Sequence, residues 1–474
     1  MTSGWLSEAQ ARVFRNYLEE AIGQDNAAVA FSALEEPASV SVRKNPRKPS
    51  PLPAGEAGRV PWCRSGFFLD SRPVFTLDPA FHAGAYYVQD SSSMFVGHVF
   101  RAVLDMVKVP DDRPLRVLDL CAAPGGKTTD IAASLREAYG SRFILVSNEV
   151  MSQRVSVLAS NTAVWGDPCI VVTSDDPSRF ASMRGWFDIV VADVPCSGEG
   201  MFRKDPGARE QWSADTVKLC QGRQRRIVAD VWPALAEGGV MIYSTCTFNR
   251  YENDDNVRWI SDTLGAGPLF PDTGDAGFLA GESGEGVLGT GMGFCLVPGL
   301  VRGEGQYCAA LLKTSPESQQ RPGRTGSGRH GLLKGSEAEL VASFFTDDMI
   351  PVSRDGVIKV LPRSAVSSLP FIEDRLHVVS SGCSAGEMKR GTLVPDADMA
   401  LSLAFRKESF STAELDTDTA LSYLQGNQIV LRDMPAGYTV VCHRSLPLGF
   451  VKNLGARCNN LYPRSRRIRM EIKK

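Results

Sequence analysis

The sequence predicts an α/β fold organised around a mostly parallel, doubly wound sheet. From residue 115 onward, short apolar runs alternate with helical stretches, as is typical of strands covered by helices on both faces. Helices are expected near residues 128–138, 151–162 and 214–236, and the "AEGG" at the end of the third is expected to stop it. The predicted strands are Leu115–Leu120, Phe143–Asn148, Ile170–Ser174, Ile189–Ala192 and Gly239–Ser244.

The segments that flank this alternating pattern have their own signals. On the C-terminal side, "GFCLVPGL" and "QYCAALLKT" predict two antiparallel strands at the edge of the sheet. On the N-terminal side, apolar residues at helical spacing predict a helix over residues 5–22. The basic, proline-broken stretch "SVRKNPRKPSPLPAGEAG", which begins at Ser41, predicts an exposed arm or linker.

The sequence of the C-terminal third predicts a small β-rich module. Residues 315–331 are polar and glycine-rich, which predicts a linker. Beyond them, "GVIKVLP", "RLHVVSSG", "QIVLRDM" and "YTVVCH" are short strand candidates. Residues 443–474 hold nine Lys or Arg against the single acid Glu471, a local basic excess that favours contact with RNA. The predicted units are 1–110, 111–314, the linker 315–331, an intermediate segment 332–384, and 385–474.

Composition excludes several classes of protein. The 474 residues are 43% hydrophobic and 22% charged with a net charge of −2, values of an ordinary globular protein. No apolar run approaches the roughly 18 residues of a membrane span, and the N-terminus lacks the pattern of a secretory signal, so a cytoplasmic protein is expected. Eleven cysteines without a CxxC pair predict reduced thiols, and no metal site.

The stretch "LRVLDLCAAPGGKTTDIA", residues 115–132, superficially suggests a phosphate-binding loop. A P-loop needs a glycine five residues before Gly126, and Cys121 occupies that position. The spacing G-x-G-x-x-G of a dinucleotide-binding loop is also absent. What the stretch does predict is a strand that ends at Asp119, a turn of small residues, and a helix that begins near Lys127. A ligand can lie against the backbone of such a turn.

Acidic residues at the ends of the next two strands indicate which ligand that is. Glu149, in "SNEV", is placed to accept hydrogen bonds from ribose hydroxyls, and Asp176, in "TSDDP", to accept one from an adenine amine. Asp175 is an alternative to Asp176. Each acid alone fits a solvated charge equally well. Together, without a phosphate-binding element, they favour a nucleoside cofactor, S-adenosylmethionine.

Two cysteines follow the fourth and fifth predicted strands, in "VVADVPCSGEGMFRKDP" and "MIYSTCTFNRYEND". Parallel strands end at the same edge of a sheet, so Cys196 and Cys246 are expected near the glycine turn. Carbon C5 of cytosine attacks a methyl donor only after a thiolate has added to C6. A carboxyl group near N3 assists that addition, and Asp193 is placed for it. The pattern therefore indicates methylation of cytosine at C5.

The motifs "DLCAAPGGKT", "DVPCSGEGMFRKDP" and "YSTCTFNRYEN" together resemble the Sun-family RNA (cytosine-5)-methyltransferases, and within them the bacterial RsmF-like subgroup that acts on 16S ribosomal RNA. "SVRKNP" and "YVQDSSSM" also fit the family's N-terminal region. The resemblance covers residues 5–314 well, and "GFVKNLGARCNNLYPRSRR" extends it to the C-terminus. It implies a Rossmann-like S-adenosylmethionine-dependent methyltransferase sheet with a small N-terminal α/β RNA-binding region and a β-rich PUA-like RNA-binding module.

The resemblance also implies roles for individual residues. Cys246 would attack C6, Cys196 would assist release of the product, Asp193 would contact the cytosine, and Lys127 would face the target nucleotide. Arg154 fits a cofactor-side contact and a solvated helix position equally well. The implied cofactor-binding residues are Cys121, Ala122, Ala123, Pro124, Gly125, Gly126, Lys127, Glu149, Asp176 and Asp193.

Three alternatives stay open at the level of sequence. A DNA cytosine-5 methyltransferase would use Cys196 as the nucleophile, but its Phe-x-Gly-x-Gly loop is missing. A tRNA methyltransferase has the same chemistry. A catalytically silent RNA-binding protein would work through the basic tail and the Arg43–Lys48 arm. We expect a monomer whose partner is RNA, with 16S rRNA or the small ribosomal subunit favoured. No DNA or membrane partner is expected.

Overall fold

The computed structural model describes residues 6–108, 110, 112–271, 286–317, 331–346, 348–354, 356–432 and 434–470. Most of the predicted linker, residues 318–330, lies outside the described residues. The first part of the chain forms two helices, then a small antiparallel sheet in the order β2-β3-β1-β4 and a helix that leads into the main sheet. Its elements are α1 (Glu8–Ile22), α2 (Gln24–Ala33), β1 (Ser41–Lys44), β2 (Glu56–Arg59), β3 (Gly66–Leu69), α3 (Pro79–His82), β4 (Tyr86–Val88) and α4 (Phe95–Leu104).

The middle of the chain forms the predicted α/β sheet. Its elements are β5 (Leu115–Asp119), α5 (Gly126–Tyr139), β6 (Phe143–Asn148), α6 (Ser152–Trp165), β7 (Ile170–Thr173), β8 (Phe187–Asp193), α7 (Pro206–Gln211), α8 (Ala214–Val231), β9 (Leu235–Thr245), α9 (Asp254–Leu264), β10 (Ala266–Leu269), β11 (Leu288–Gly289), β12 (Phe294–Leu296) and β13 (Gln306–Lys313). Strands β5 to β9 pair in parallel, and β12 and β13 form the predicted antiparallel edge.

The C-terminal third forms two further sheets. Its elements are β14 (Gly331–Leu332), α10 (Gly335–Ser343), β15 (Met349–Arg354), β16 (Val357–Pro362), α11 (Arg363–Val366), α12 (Leu369–Arg375), β17 (Val378–Ser381), β18 (Cys383–Lys389), β19 (Thr392–Pro395), α13 (Ala397–Leu401), β20 (Ser411–Glu414), α14 (Thr417–Leu424), β21 (Gly437–His443), β22 (Leu446–Asn453) and β23 (Cys458–Asn460). One sheet has the order β14-β15-β16-β18-β19 and the other β20-β21-β22-β23.

Strand β17 belongs to neither of these sheets. It pairs antiparallel with β7 and so completes the far edge of the main sheet, with Val378 opposite Thr173. The expectation that "RLHVVSSG" is a strand of the C-terminal module was therefore wrong. The main sheet has the order β11-β12-β13-β9-β8-β5-β6-β7-β17, and its last strand lies beyond the predicted boundary at residue 314.

Two other local expectations were also wrong. Helix α8 ends at Val231, not at the "AEGG" stretch, because Pro233 has no amide hydrogen with which to continue it. Residues Leu235 to Gly239 instead open strand β9. The segment "QIVLRDM" is not a strand in its described residues, although Ile429 and Leu431 are buried in the core of the last sheet.

The first part of the basic stretch, from Ser41 to Asn45, and Lys48 are packed against the rest of the protein, whereas Arg47 is exposed. The Arg43 side chain is 1% exposed and donates hydrogen bonds to Gln89 Oε1 (2.8 Å) and Thr129 Oγ1 (2.6 Å). Its guanidinium also lies over the Trp165 ring, 4.8 Å from the centroid. Lys48 is buried as well and donates to two backbone carbonyls. This segment joins the N-terminal sheet to the main sheet, so Arg43 and Lys48 are not available to bind RNA phosphates.

We expect Arg43→Ala to lower the free energy of unfolding by about 3–5 kcal/mol, because it leaves buried polar partners, among them Gln89, without a donor. Arg47→Ala is the matched control, since Arg47 is exposed in the same segment, and should change stability by less than about 0.5 kcal/mol. Urea denaturation measures both variants. Equal losses of stability in the two variants would contradict the packing role of Arg43.

Both faces of the main sheet are covered, as the apolar runs predicted. All six residues of β6 are buried, as are all four of β7. Within the part of the chain that the structure describes, no helix is both long enough and apolar enough to cross a membrane. What the fold supplies for function is the edge where strands β5 to β9 end.

Candidate active site

The carboxyl ends of five strands meet at one edge of the main sheet. Strand β5 lies between β6 and β8, so the chain leaves it in opposite directions on its two sides. Such a switch point opens a crevice in which ligands of α/β proteins bind. The loop after β5 is the glycine turn, and the loops after β8 and β9 carry Cys196 and Cys246. The topology therefore brings the three sequence motifs together.

The glycine turn is tightly held to its neighbours. Ala122 N donates to Asn148 O (2.8 Å), and Arg154 donates from Nη2 to Ala123 O (2.5 Å). Gly125 has φ +111°, a backbone conformation that favours glycine, and helix α5 begins directly after it. The Cys121 side chain is half-buried, and burial raises the pKa of its thiol. The raised pKa favours the neutral thiol, so a ligand that approaches the turn meets no negative charge on Cys121.

Glu149 follows strand β6 and presents a buried carboxylate oxygen to the crevice. Its side chain is 3% exposed, and Oε1 accepts a hydrogen bond from Met151 N (3.0 Å). Oε2 lies 3.3 Å from Arg154 Nη1 and accepts no hydrogen bond from the described residues. A buried carboxylate oxygen without a donor is unfavourable unless a ligand supplies one. The residue therefore fits the predicted ribose contact.

The two aspartates after β7 are placed differently. Asp175 is half-buried, and its Oδ2 accepts from His377 N (2.7 Å). Asp176 is exposed, and its Oδ1 accepts from Ser178 N (3.0 Å) at the start of a short 3₁₀ helix, a hydrogen bond that lowers the pKa of the Asp176 carboxyl. Both carboxylates thus accept a hydrogen bond from a backbone amide of the protein.

Lys127 and Asp193 form an ion pair inside the crevice. The two charged atoms, Nζ and Oδ2, are 2.9 Å apart, and Nζ also donates to Ser93 Oγ at 2.9 Å. Ser244 Oγ donates to the other oxygen of Asp193 (3.0 Å). Burial lowers the pKa of Lys127, but the attraction of Asp193 outweighs it and leaves the pKa above its ordinary value. Lys127 is therefore a cation that donates a hydrogen bond to Asp193.

The two predicted thiols are in direct contact. Cys196 Sγ lies 3.0 Å from Cys246 Sγ, and Cys246 N donates to Cys196 Sγ at 3.3 Å. Both side chains are half-buried free thiols. The hydrogen bond with Cys246, together with burial, raises the pKa of the Cys196 thiol well above its ordinary value. The raised pKa favours the thiol form of Cys196, which can donate its hydrogen to the sulfur of Cys246.

A buried carboxylate joins the two cysteine loops. Glu199 follows Cys196 by three residues and is 1% exposed. Its Oε2 accepts from the backbone of the Cys246 loop, at Phe248 N (2.7 Å) and Asn249 N (3.0 Å). Its Oε1 accepts from Trp212 Nε1 and Asn249 Nδ2, both at 2.9 Å. The Glu199 carboxylate therefore sets the position of one thiol relative to the other.

A second buried carboxylate makes the reciprocal link. Glu252, in the Cys246 loop, accepts from Ser197 N (3.0 Å) in the Cys196 loop. It also accepts from Gln224 Nε2 (2.7 Å) and Asn249 Nδ2 (2.8 Å). Burial and the neighbouring charge of Glu199 raise the pKa of Glu252 to about 7, against these hydrogen bonds. The two loops thus hold each other through a pair of carboxyl groups.

Sequence reasoning missed Glu199, Asn249 and Glu252 as parts of the site. All three stand inside the motifs that carry the cysteines, so the motifs themselves were the available signal. Ser93 was missed in the same way, within "YVQDSSSM". Nothing in the spacing showed that these polar residues are buried, because their partners lie about fifty residues away along the chain.

Asp119 is a buried carboxyl group next to the site, and its pKa makes the stability of the protein depend on pH. It is fully buried at the end of β5, with Oδ2 accepting from Thr128 Oγ1 (2.6 Å) and Oδ1 without a partner among the described residues. Burial raises the pKa of Asp119 to about 7, although the Thr128 hydrogen bond opposes it. A carboxyl whose pKa is raised by folding stabilises the protein below its unfolded pKa, and this stability is lost as pH rises through about 7.

We therefore expect the melting temperature of Asp119→Asn to fall less than that of the unmodified protein between pH 5 and pH 8, by about 4 °C or more. Differential scanning calorimetry without added ligand measures this. Asp215→Asn, at a side chain that is 91% exposed, is the control and should follow the unmodified protein. Parallel pH profiles for Asp119→Asn would show that Asp119 is ionised in the folded state throughout.

Three descriptions of protein families match successive parts of the chain. The family described as 16S rRNA methyltransferase RsmB/F matches residues 106–266. The N-terminal domain of 16S rRNA methyltransferase RsmF matches residues 11–91, and the methyltransferase RsmF PUA domain matches residues 410–468. These matches cover, in order, the N-terminal sheet, the parallel strands β5 to β9 of the main sheet, and the last sheet.

Curated relatives agree with the family matches. The chain is 32% identical over 428 residues to the ribosomal RNA small subunit methyltransferase F of Salmonella paratyphi A, covering 85% of this chain and 84% of the relative. It is 31% identical, with the same coverage, to the protein of that name from Salmonella typhi. The similarity therefore spans nearly the whole of both proteins.

Solved structures show the same fold at lower identity. NSun6 from Pyrococcus horikoshii with SFG superposes with a TM-score of 0.51 at 18% identity, over 64% of this chain and 98% of that one. A methyltransferase homolog protein from the same organism gives 0.50 at 24% identity, over 65% and 100%. The chain belongs to the 16S rRNA methyltransferase RsmB/F family, with the Rossmann-like sheet, the N-terminal domain and the PUA domain of its F-type members.

Proposed function

We propose that this protein transfers a methyl group from S-adenosylmethionine to C5 of a cytosine in 16S rRNA, through a covalent adduct of Cys246. The observation that carries the proposal is the contact of two thiols, 3.0 Å apart, beside the Lys127–Asp193 ion pair. Cytosine C5 methylation needs a nucleophile, a group that assists release, and a proton near N3. Each of these chemistries has a residue in the crevice.

The cofactor fits the first part of the site. S-adenosylmethionine, when bound, supplies an electrophilic methyl group. The buried Glu149 Oε2 without a donor is placed to accept from its ribose, and the small residues Ala122 to Gly126 leave the backbone of the turn open to it. Asp176 would accept from its adenine, with Asp175 as the competing residue.

The thiols and the ion pair serve the second part. Cys246 adds to C6 as the thiolate, and the hydrogen bond from Cys196 stabilises that thiolate. Electron density then moves toward N3, and N3 takes a proton that passes from the Lys127 ammonium through the Asp193 carboxyl group. C5 takes the methyl group. Cys196, whose own proton has passed to solvent, takes the C5 proton as a thiolate. The C5–H electrons form the C5=C6 double bond, and the C6–S bond breaks so that Cys246 leaves as the thiolate. Cys196 assists this last step.

The test offers the purified protein three substrates with radiolabelled S-adenosylmethionine: naked 16S rRNA, small subunits, and bulk tRNA, all from a strain that lacks the protein. Label is expected in 16S rRNA or in the small subunit, with one cytosine protected from bisulfite conversion. Label in tRNA alone would replace the substrate in this proposal. The absence of label in all three would favour a silent RNA-binding protein.

A further inference from the structure

A cavity of about 640 Å³ lies outside the catalytic crevice, and its lining has a definite chemical character. One wall is the segment from Arg72 to strand β4, the second is helix α6, and the third is the C-terminal stretch 462–470. The cavity thus lies where the N-terminal sheet, the main sheet and the end of the chain meet. Its volume falls in the range of ligand-binding sites.

Aromatic rings form the floor of this groove. Phe75 and Phe81 pack at either side of Tyr86, with ring centroids 6.2 Å and 5.9 Å away. Tyr86 is buried, whereas Phe75, Phe81 and the neighbouring Tyr87 are only partly buried and line the opening. Partly exposed aromatic faces stack on unpaired bases, at about 1–3 kcal/mol for each base.

The rim of the groove is positively charged. Four arginines line it, and none of its described lining residues is Asp or Glu. Arg466 is paired with Asp398 outside the groove (2.6 Å). Arg467 Nε is buried and has no hydrogen-bond partner among the described residues. Arg72 and Arg469 are exposed. The two exposed guanidinium groups are therefore suited to bind phosphate.

The groove borders the glycine turn of the catalytic crevice. Tyr87 lines the groove, and its hydroxyl donates to Pro124 O (3.1 Å) in the glycine turn. Asn161, on the opposite wall, donates to the same carbonyl (2.8 Å). The chain that leaves β4 then reaches Ser93, which accepts the hydrogen bond from Lys127. Residues in two walls of the groove are thus bonded to the turn that borders the crevice.

We propose that this groove binds a single-stranded RNA segment next to the target cytosine. Bases stack on Phe75, Phe81 and Tyr87, and phosphates pair with Arg72 and Arg469. A double helix would keep its bases away from these rings, so the segment is unpaired. The inference rests on the proposed function, because it identifies where the substrate of that site continues beyond the reacting nucleotide.

The test reverses the charge at the two exposed arginines, Arg72→Glu with Arg469→Glu. The matched control is Lys334→Glu with Arg390→Glu, which changes the net charge equally at exposed positions outside the groove. A single-stranded RNA of roughly 12 nucleotides is the probe, and fluorescence anisotropy measures its binding without methyl donor. The groove variant should raise Kd at least about tenfold and reduce the salt slope by about 0.7 for each phosphate that the protein no longer binds.

A second variant separates stacking from charge. Phe75→Leu keeps an apolar side chain but removes the aromatic face, so it should weaken binding several-fold with an unchanged salt slope. Ultraviolet cross-linking of the same RNA should label the peptides that contain Phe75 and Tyr87. Equal losses of affinity in the groove variant and in its control, or cross-links confined to other surfaces, would overturn the proposal.

The assay keeps this proposal distinct from the proposed function. If the protein binds RNA through the groove but transfers no methyl group, the proposed function fails and the groove stands. If methyl transfer occurs and the groove variant binds RNA normally, the groove fails alone. Normal binding of naked RNA with weaker binding only to small subunits would assign the groove to a protein partner, which also contradicts the proposal.

Discussion

Replacement of Cys246 by alanine is expected to abolish methyl transfer, with a fall of at least about 10³-fold, because the nucleophile that activates C5 is removed. Replacement of Cys196 should have a different outcome. Cys246 can still attack C6, but the residue that assists release is absent, so the covalent RNA adduct accumulates. Both results follow from the contact of the two sulfur atoms, 3.0 Å apart.

The measurement is a denaturing gel of protein incubated with radiolabelled RNA and S-adenosylmethionine. Cys196→Ala should give a slowly migrating RNA–protein band, and Cys246→Ala should give none. Cys220→Ala, at a buried cysteine of helix α8, is the control and should keep near-normal activity. Adducts that form without Cys246 but disappear without Cys196 would reverse the two roles and indicate the mechanism used by DNA cytosine-5 methyltransferases.

Replacement of Glu199 by glutamine is expected to reduce the methylation rate by about 100-fold, although Glu199 is not placed to touch the substrate. Each of its oxygens accepts two hydrogen bonds, and every partner is an N–H donor. A glutamine amide has two orientations, and in either of them its NH₂ group would face two of those N–H donors. The Cys246 loop must then shift, and small displacements of reacting groups cause rate losses of this size.

Glu210→Gln is the matched control, because Glu210 is exposed on the neighbouring helix α7. It should retain normal kinetics. For Glu199→Gln we expect the decrease in kcat, with little change in the binding of cofactor or RNA, and a lower melting temperature. Normal kcat in Glu199→Gln would show that the two cysteine loops keep their relation without this carboxylate.

The main sheet was predictable from the sequence because its signals are local. Buried parallel strands are short apolar runs, and each of the five predicted strands overlaps the strand found, from β5 to β9. The turns that follow them carry the motifs. The predicted ends of the fourth and fifth strands therefore placed Asp193, Cys196 and Cys246 at one edge of the sheet. The family that those motifs suggested is confirmed by the comparisons.

Features that depend on distant partners were not predictable in this way. Arg43 stands in a basic, proline-rich stretch that looks solvated, and its burial depends on Gln89, Thr129 and Trp165. Strand β17 was recognised as a strand, but nothing in its residues shows that its partner is β7. The buried roles of Glu199 and Glu252 likewise appear only when two loops meet.

The late position of strand β17 in the chain also has a consequence for folding during synthesis. During synthesis, β7 emerges early, but its edge partner follows only after the whole of β8 to β16. At about 5–20 residues per second, the ribosome needs roughly 3–14 s to extend the chain from Lys313 to Ser381. Throughout that interval β7 presents unpaired backbone groups to other chains. A chain interrupted before β17 is therefore expected to be held by chaperones rather than to become a smaller enzyme.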